Sequence, residues 1–70
     1  MNNATSKIKE GMAKKKISND YQLAERIGIS RQSLSRKLMM PNSFSPREIK
    51  AMADVLSWSD LEIGEFIRTI

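Results

Sequence analysis

The sequence predicts an all-α domain of five short helices, and three observations predict it. Apolar residues recur at three- and four-residue intervals along nearly the whole chain. Asn19, Ser45 and Ser59 each stand three positions ahead of a Gln or Glu, at points where such a run begins. No stretch of useful length alternates apolar and polar residues as a half-buried strand would.

The elements follow in order. Residues 1–4 are polar and expected to fray. Ile8 and Met12 lie four apart in a lysine-rich segment, which predicts a first helix from about Ser6 to Lys16, weakened by Gly11 and followed by Ile17 as a core contact. Asn19 and Gln22 form a capping-box pair that opens a second helix running to Ile27. Gly28 ends it, because a residue just past a helix commonly takes the left-handed backbone that glycine tolerates without a steric penalty. Ile29 is placed to plug the gap before a third helix, capped by Ser30 and reaching about Met39, with Leu34 and Leu38 facing inward. Residues 40–44 then form a loop, since Pro41 disfavours helical geometry in Met40, and Phe44 is expected to fold back onto the core. Ser45, Pro46 and Glu48 are the clearest start signal, for a fourth helix to Leu56 with Ile49, Met52, Ala53 and Leu56 inward. Ser59 and Glu62 open a fifth helix that reaches about Thr69, with Leu61 expected in the core. Trp58, between the last two helices, is read as a packing residue.

Seventy residues make one domain, residues 1–70, near the lower size limit for folding without disulfides or metal. With no Cys and no His, a zinc finger, a thiol nucleophile and an imidazole base are excluded. Nothing pairs the carboxylates for magnesium or acid–base work, so no catalytic residue, metal, cofactor or small-molecule ligand is expected. No apolar run approaches a membrane span or a signal-peptide core, and the absence of cysteine fits a reducing compartment, so a cytoplasmic location is expected. Charge is uneven. Residues 1–40 hold nine Lys or Arg against three acids, net +6, whereas residues 41–70 hold three against five, net −2. One surface for a polyanion and another for a different contact would have this balance, although the run Lys14-Lys15-Lys16 alone is equally an ordinary solvated face.

Residues 19–39 carry the most information: two short helices around a glycine turn, the second presenting Arg31, Gln32, Ser33, Ser35, Arg36 and Lys37 outward or sideways, none of them acidic. That arrangement suits DNA reading. A featureless helical hairpin is the bland alternative, but it does not explain the coincidence of Ala24, small enough for close crossing, with Gly28 four residues later and an outward face of amide, hydroxyl and guanidinium groups.

The segment from Gln22-Leu23-Ala24 through Gly28-Ile29-Ser30 to Leu34-Ser35-Arg36, followed by a capped helix ending in Ala53-Asp54-Val55-Leu56, resembles the phage Cro and repressor type of helix-turn-helix, the lambda-repressor-like fold. The resemblance covers about residues 6–67. In particular, Ser33 to Leu38 with Phe44-Ser45 and Glu48-Ile49 is similar to small Cro-like regulators of phages and prophages in Gram-positive bacteria. Carried over position by position, it implies base reading by Arg31, Gln32, Ser35 and Arg36 from the third helix in the major groove, Gln32 and Arg31 foremost. It implies phosphate contacts from Asn19, Tyr21, Lys37, Asn42 and Ser43, with half-buried packing an equal reading for Tyr21. Two positions depart from the family. Asp20 stands where many members carry glutamine and would be repelled by DNA, so a capping role is expected for it. Leu38 stands where many carry a glutamate paired with an arginine of the first helix; an apolar contact with Ile8 and Met12 is expected instead.

The resemblance further implies a regulator, a repressor that blocks polymerase by occupying a promoter, acting as a homodimer on a pseudo-palindromic operator. The fifth helix has more apolar residues than one inward stripe needs, so Ile63, Ile67 and Ile70 are candidates for a two-fold interface over about residues 60–69, with Gly64 allowing close approach. An antitoxin or accessory DNA-binding component of a partner-protein complex is the alternative function. A small enzyme such as a nuclease lacks the residues for it.

Overall fold

The computed structural model describes residues 3–70 and consists of five helices and one 3₁₀ turn: α1 (Asn3–Lys14), α2 (Asp20–Ile27), α3 (Arg31–Met39), the turn Pro41–Ser43, α4 (Pro46–Leu56) and α5 (Asp60–Thr69). Helix α2 packs against α3 and α4, while α1 packs against α4 and α5. The core between them is wholly apolar among the described residues, built from Ile8, Leu23, Leu34, Met52 and Phe66 at its most buried points. Phe66 anchors α5 there, its ring meeting Phe44 edge to face at 6.1 Å between centroids and lying tilted against the Trp58 indole at 5.2 Å.

Most helix starts follow the sequence signals. Ser45 and Ser59 each accept from the N–H three residues on, while Glu48 and Glu62 accept from the Ser45 and Ser59 N–H groups, closing two full capping boxes. The second helix departs in detail. Asn19 accepts from the Gln22 N–H at 2.9 Å as expected, but the Gln22 carboxamide oxygen reaches back past Asn19 to the Ser18 N–H at 3.0 Å.

The first helix is displaced toward the N-terminus of its expected span. It begins at Asn3 and ends at Lys14, and Ala4 is fully buried; the expectation of frayed residues is therefore wrong for Asn3 and Ala4, while Met1 and Asn2 lie outside the described residues. The physical reason is the register of the apolar stripe, since Ala4, Ile8 and Met12 continue one another at four-residue spacing and all face the core. The Thr5 hydroxyl adds a bond to the Leu38 carbonyl at 2.8 Å, satisfying a carbonyl near the end of α3. Gly11 is more than a weak point in this helix. A β-carbon there would stand 3.1 Å from Leu56 Cδ1 and 3.3 Å from Trp58 Nε1, so its absence sets how closely α1 approaches the end of α4.

Three helices stop by the same device. Lys16 (φ 58°), Gly28 (φ 86°) and Ser57 (φ 57°) each adopt the left-handed backbone. Each is followed by an apolar residue whose N–H donates back five positions: Ile17 to Met12, Ile29 to Ala24 and Trp58 to Ala53, at 2.9, 3.0 and 2.9 Å. These bonds close the exposed carbonyl ends and fold the apolar side chain onto the core.

Leu61 is a correction. It is 70% exposed rather than part of the core. Five residues before Phe66 on a helix is a rotation of about 140°, so anchoring α5 by Phe66 turns Leu61 outward.

Candidate nucleic-acid interface

Helix α3 is built to divide its two sides. Leu34 and Leu38 are buried, holding the helix to the core, and Ser30 caps its start by accepting from the Ser33 N–H at 3.1 Å. At 3.6 residues per turn, Arg31, Gln32, Ser35 and Arg36 fall within an arc of about 140° that excludes both leucines. All four are exposed, and together they line one open depression. Neither Arg31 nor Arg36 makes an ion pair within the described residues. Met39 falls on the same arc one turn beyond Ser35 and is 82% exposed. The sequence marks it only as the helix end, although the helical period places it on the outward stripe, and it offers an apolar contact of the kind a thymine methyl group accepts.

The depression continues on both sides. Arg31 also lines a groove with Asn19, Asp20 and Tyr21 at the start of α2. Arg36 also lines one with Ser33, Lys37, Met40 and Ser43 at the 3₁₀ turn. The outward side chains of α3 are thus flanked by Asn19 and Tyr21 on one side and by Lys37 and Ser43 on the other, in one continuous surface. Asn42 is exposed in the turn beside Ser43 but lines neither groove. Tyr21 is 58% exposed, so the alternative of half-buried packing does not hold for it.

Two residues are less simple than their sequence roles. Lys37 is drawn inward, its ammonium 3.1 Å from Glu48 Oε1 and donating to the Ser43 carbonyl at 3.1 Å, so it ties the turn after α3 to the start of α4. The Ser45 N–H, together with Lys37, holds the Glu48 carboxyl below its ordinary value against the opposing effect of burial. Asp20 is not the cap of α2, a role that Asn19 fills; its carboxylate pairs with the Lys9 ammonium at 2.9 Å. The contact expected at Leu38 agrees with its position, since it shares the core with Ile8 and Met12.

A second surface lies between α4 and α5, an open apolar groove of about 540 Å³. Ile63, Ile67 and Ile70, the three proposed interface residues, all line it, joined by Ile49 and Trp58. Lys50, Asp54 and Asp60 are its charged lining residues. Gly64 is not among the lining residues. No group of three or more acidic side chains placed to hold a metal occurs among the described residues, and no helix is long and apolar enough to cross a membrane.

Comparison with curated proteins and with solved structures gave no significant match. The family model of the Cro/C1-type HTH DNA-binding domain, however, matches residues 7–70, and the chain belongs to that family of DNA-binding, non-enzymatic regulators.

Proposed function

We propose that the protein is a sequence-specific transcriptional repressor of the Cro-like type, controlling phage or prophage genes from the cytoplasm by occupying a promoter. In this reading α3 enters the major groove. Arg31 and Arg36 donate to guanine, Gln32 pairs with adenine and Ser35 is permissive, while Asn19, Tyr21, Lys37, Asn42 and Ser43 fix the register on the phosphates. The observation that carries it is the unbroken surface in which four exposed side chains of α3 lie between two groups of phosphate-contact candidates.

One reading helix touches few base pairs. A homodimer on a pseudo-palindromic operator, with half-sites about 34 Å apart, would double the contacts. The groove lined by Ile63, Ile67 and Ile70 supports that assembly, since a two-fold axis through it would bury apolar surface and let Lys50 of each copy face the acidic lining residues of the other.

Selection of binding sites from random duplexes tests both parts together. A symmetric consensus with half-sites one helical turn apart is expected. No enrichment over random sequence would refute sequence-specific reading, and an enriched single half-site would refute the dimer alone.

A further inference from the structure

The groove at the start of α2 holds a carboxylate on a surface proposed to meet phosphates, which is a liability unless something neutralises it. Asp20 shares this groove with Arg31 of α3, and a second cation, Lys9, comes from α1. The structure gives the carboxylate to Lys9, at 2.9 Å, and Arg31 makes no ion pair among the described residues. The pair lies partly in solvent, with Lys9 48% and Asp20 29% exposed. A pair in that setting contributes little to folding, because Coulomb attraction is weak in high dielectric and ordering two side chains costs entropy.

We propose that Lys9 is a positioning residue for DNA binding: by occupying Asp20 it cancels a negative charge beside the incoming phosphates and keeps the Arg31 guanidinium free for DNA. The inference rests on the reading of this surface as the DNA face. Its logic is competitive. An unpaired Asp20 attracts the nearest mobile cation, and a guanidinium meets a carboxylate with two parallel donors, so without Lys9 the Arg31 side chain is the natural replacement. Arg31 would then be lost to the duplex, and a second lysine elsewhere on the surface would not restore it.

The test is a set of variants on a site chosen by selection with the wild-type protein. Lys9→Met is expected to weaken binding by about tenfold, the scale of one lost specific contact, while Lys16→Met serves as the control for simple loss of a surface cation. In an Asp20→Asn background the effect of Lys9→Met should shrink to that of the control, and in an Arg31→Ala background it should also fall. The Arg31 Nε–H resonance, followed by NMR without DNA, should shift in Lys9→Met and return in the double variant with Asp20→Asn. Equal losses from Lys9→Met in the wild-type and Asp20→Asn backgrounds would overturn the proposal, since Lys9 would then act as its own phosphate contact. An unchanged affinity in Lys9→Met would overturn it too. Wild-type protein with no preference for any duplex would instead refute the DNA-face reading, and the proposal would fall with it; the Arg31 resonance, read without DNA, separates the two failures.

Discussion

Replacing Gly11 by alanine separates two opposing contributions that the structure makes unequal at two glycines. In the interior of a helix the exchange is worth about 1 kcal/mol in favour of alanine, from backbone entropy and shielding. Gly64 in α5 should show this gain undiluted, because a β-carbon there meets nothing within 4 Å. Gly11 should not. Its new β-carbon would face Leu56 Cδ1 at 3.1 Å, Leu56 Cβ at 3.3 Å and Trp58 Nε1 at 3.3 Å, and Leu56 is 4% exposed, with little room to retreat. Overpacking of this kind costs about 1–3 kcal/mol, so after the helix gain Gly11→Ala is expected to be neutral to about 2 kcal/mol destabilising. The two variants should therefore differ by roughly 1–3 kcal/mol, each kcal/mol moving the melting temperature of a domain this size by about 4–8 °C. Urea and thermal unfolding followed by circular dichroism would measure it, and Trp58 fluorescence would report whether the indole moves. A Gly11→Ala protein as stable as Gly64→Ala would refute the argument that the missing β-carbon sets the approach of α1 to α4.

Other expectations are shorter to state. Gln32→Ala and Arg36→Ala should each cost about 1–3 kcal/mol on the selected site and relax the preference at one base pair; an equal loss on random DNA in a binding titration would remove them from the readers. Binding should also weaken steeply as salt rises, because phosphate contacts release counterions; a flat salt titration would contradict the phosphate set. Ser57→Gly should leave stability unchanged or raise it by up to about 1 kcal/mol, because relief of a left-handed backbone, worth about 1–2 kcal/mol, is partly offset by the greater freedom of glycine in the unfolded chain; destabilisation in urea would contradict that backbone conformation. Acidification has a defined sign at Glu48, whose carboxyl is held below its ordinary value of 4.5 first by the Ser45 N–H and also by Lys37. Its contribution is fully present above the unfolded value and is lost as pH falls through the lowered folded one. Urea midpoints between pH 3 and 6 should therefore fall less steeply for Glu48→Gln than for the wild type, and parallel curves would count against a Glu48 carboxyl held low by the Ser45 N–H and Lys37.

The helices were legible because local chemistry announces them. Ser45 with Pro46 and Glu48, Ser59 with Glu62, and Ser30 each satisfy orphan N–H groups by side chains adjacent in sequence, so their signal needs no tertiary information. Apart from the Gln22 carboxamide, which reaches Ser18 within its own turn, the misread details depend on how the helices pack together. Ala4 is small and apolar, and only packing of α1 against α4 and α5 decides that it is buried. Lys16 and Ser57 take a backbone conformation that the sequence does not flag, because the required turn, not an intrinsic preference, imposes it. Leu61 was misplaced since the facing of α5 is set by one residue, Phe66, and by its ring contacts with Phe44 and Trp58. In the site, the outward stripe of α3 follows from the spacing of Leu34 and Leu38, whereas the Lys9–Asp20 and Lys37–Glu48 pairs join separate elements and no local pattern reveals them.

A chain this small has little stability to spare, and where it keeps its polar groups determines how its recognition can change. No polar or charged side chain is buried among the described residues, so the fold does not rest on any group proposed to read a base. Leu34 and Leu38 anchor α3, while Arg31, Gln32, Ser35 and Arg36 make no side-chain hydrogen bond or ion pair with other elements among the described residues. Exchanges at such exposed positions usually stay within about 0.5 kcal/mol of the starting stability. Sequence preference and folding are therefore separable on this helix: variants at these four positions should melt with the wild type while selecting different sites. At Lys37 the two are joined, because a residue that lines the groove with Arg36 also holds Glu48 and the Ser43 carbonyl through its ammonium. Lys37→Met should lower both the melting temperature and the affinity for every duplex, and a variant that lost affinity with its melting curve intact would show that the clamp is dispensable for the fold.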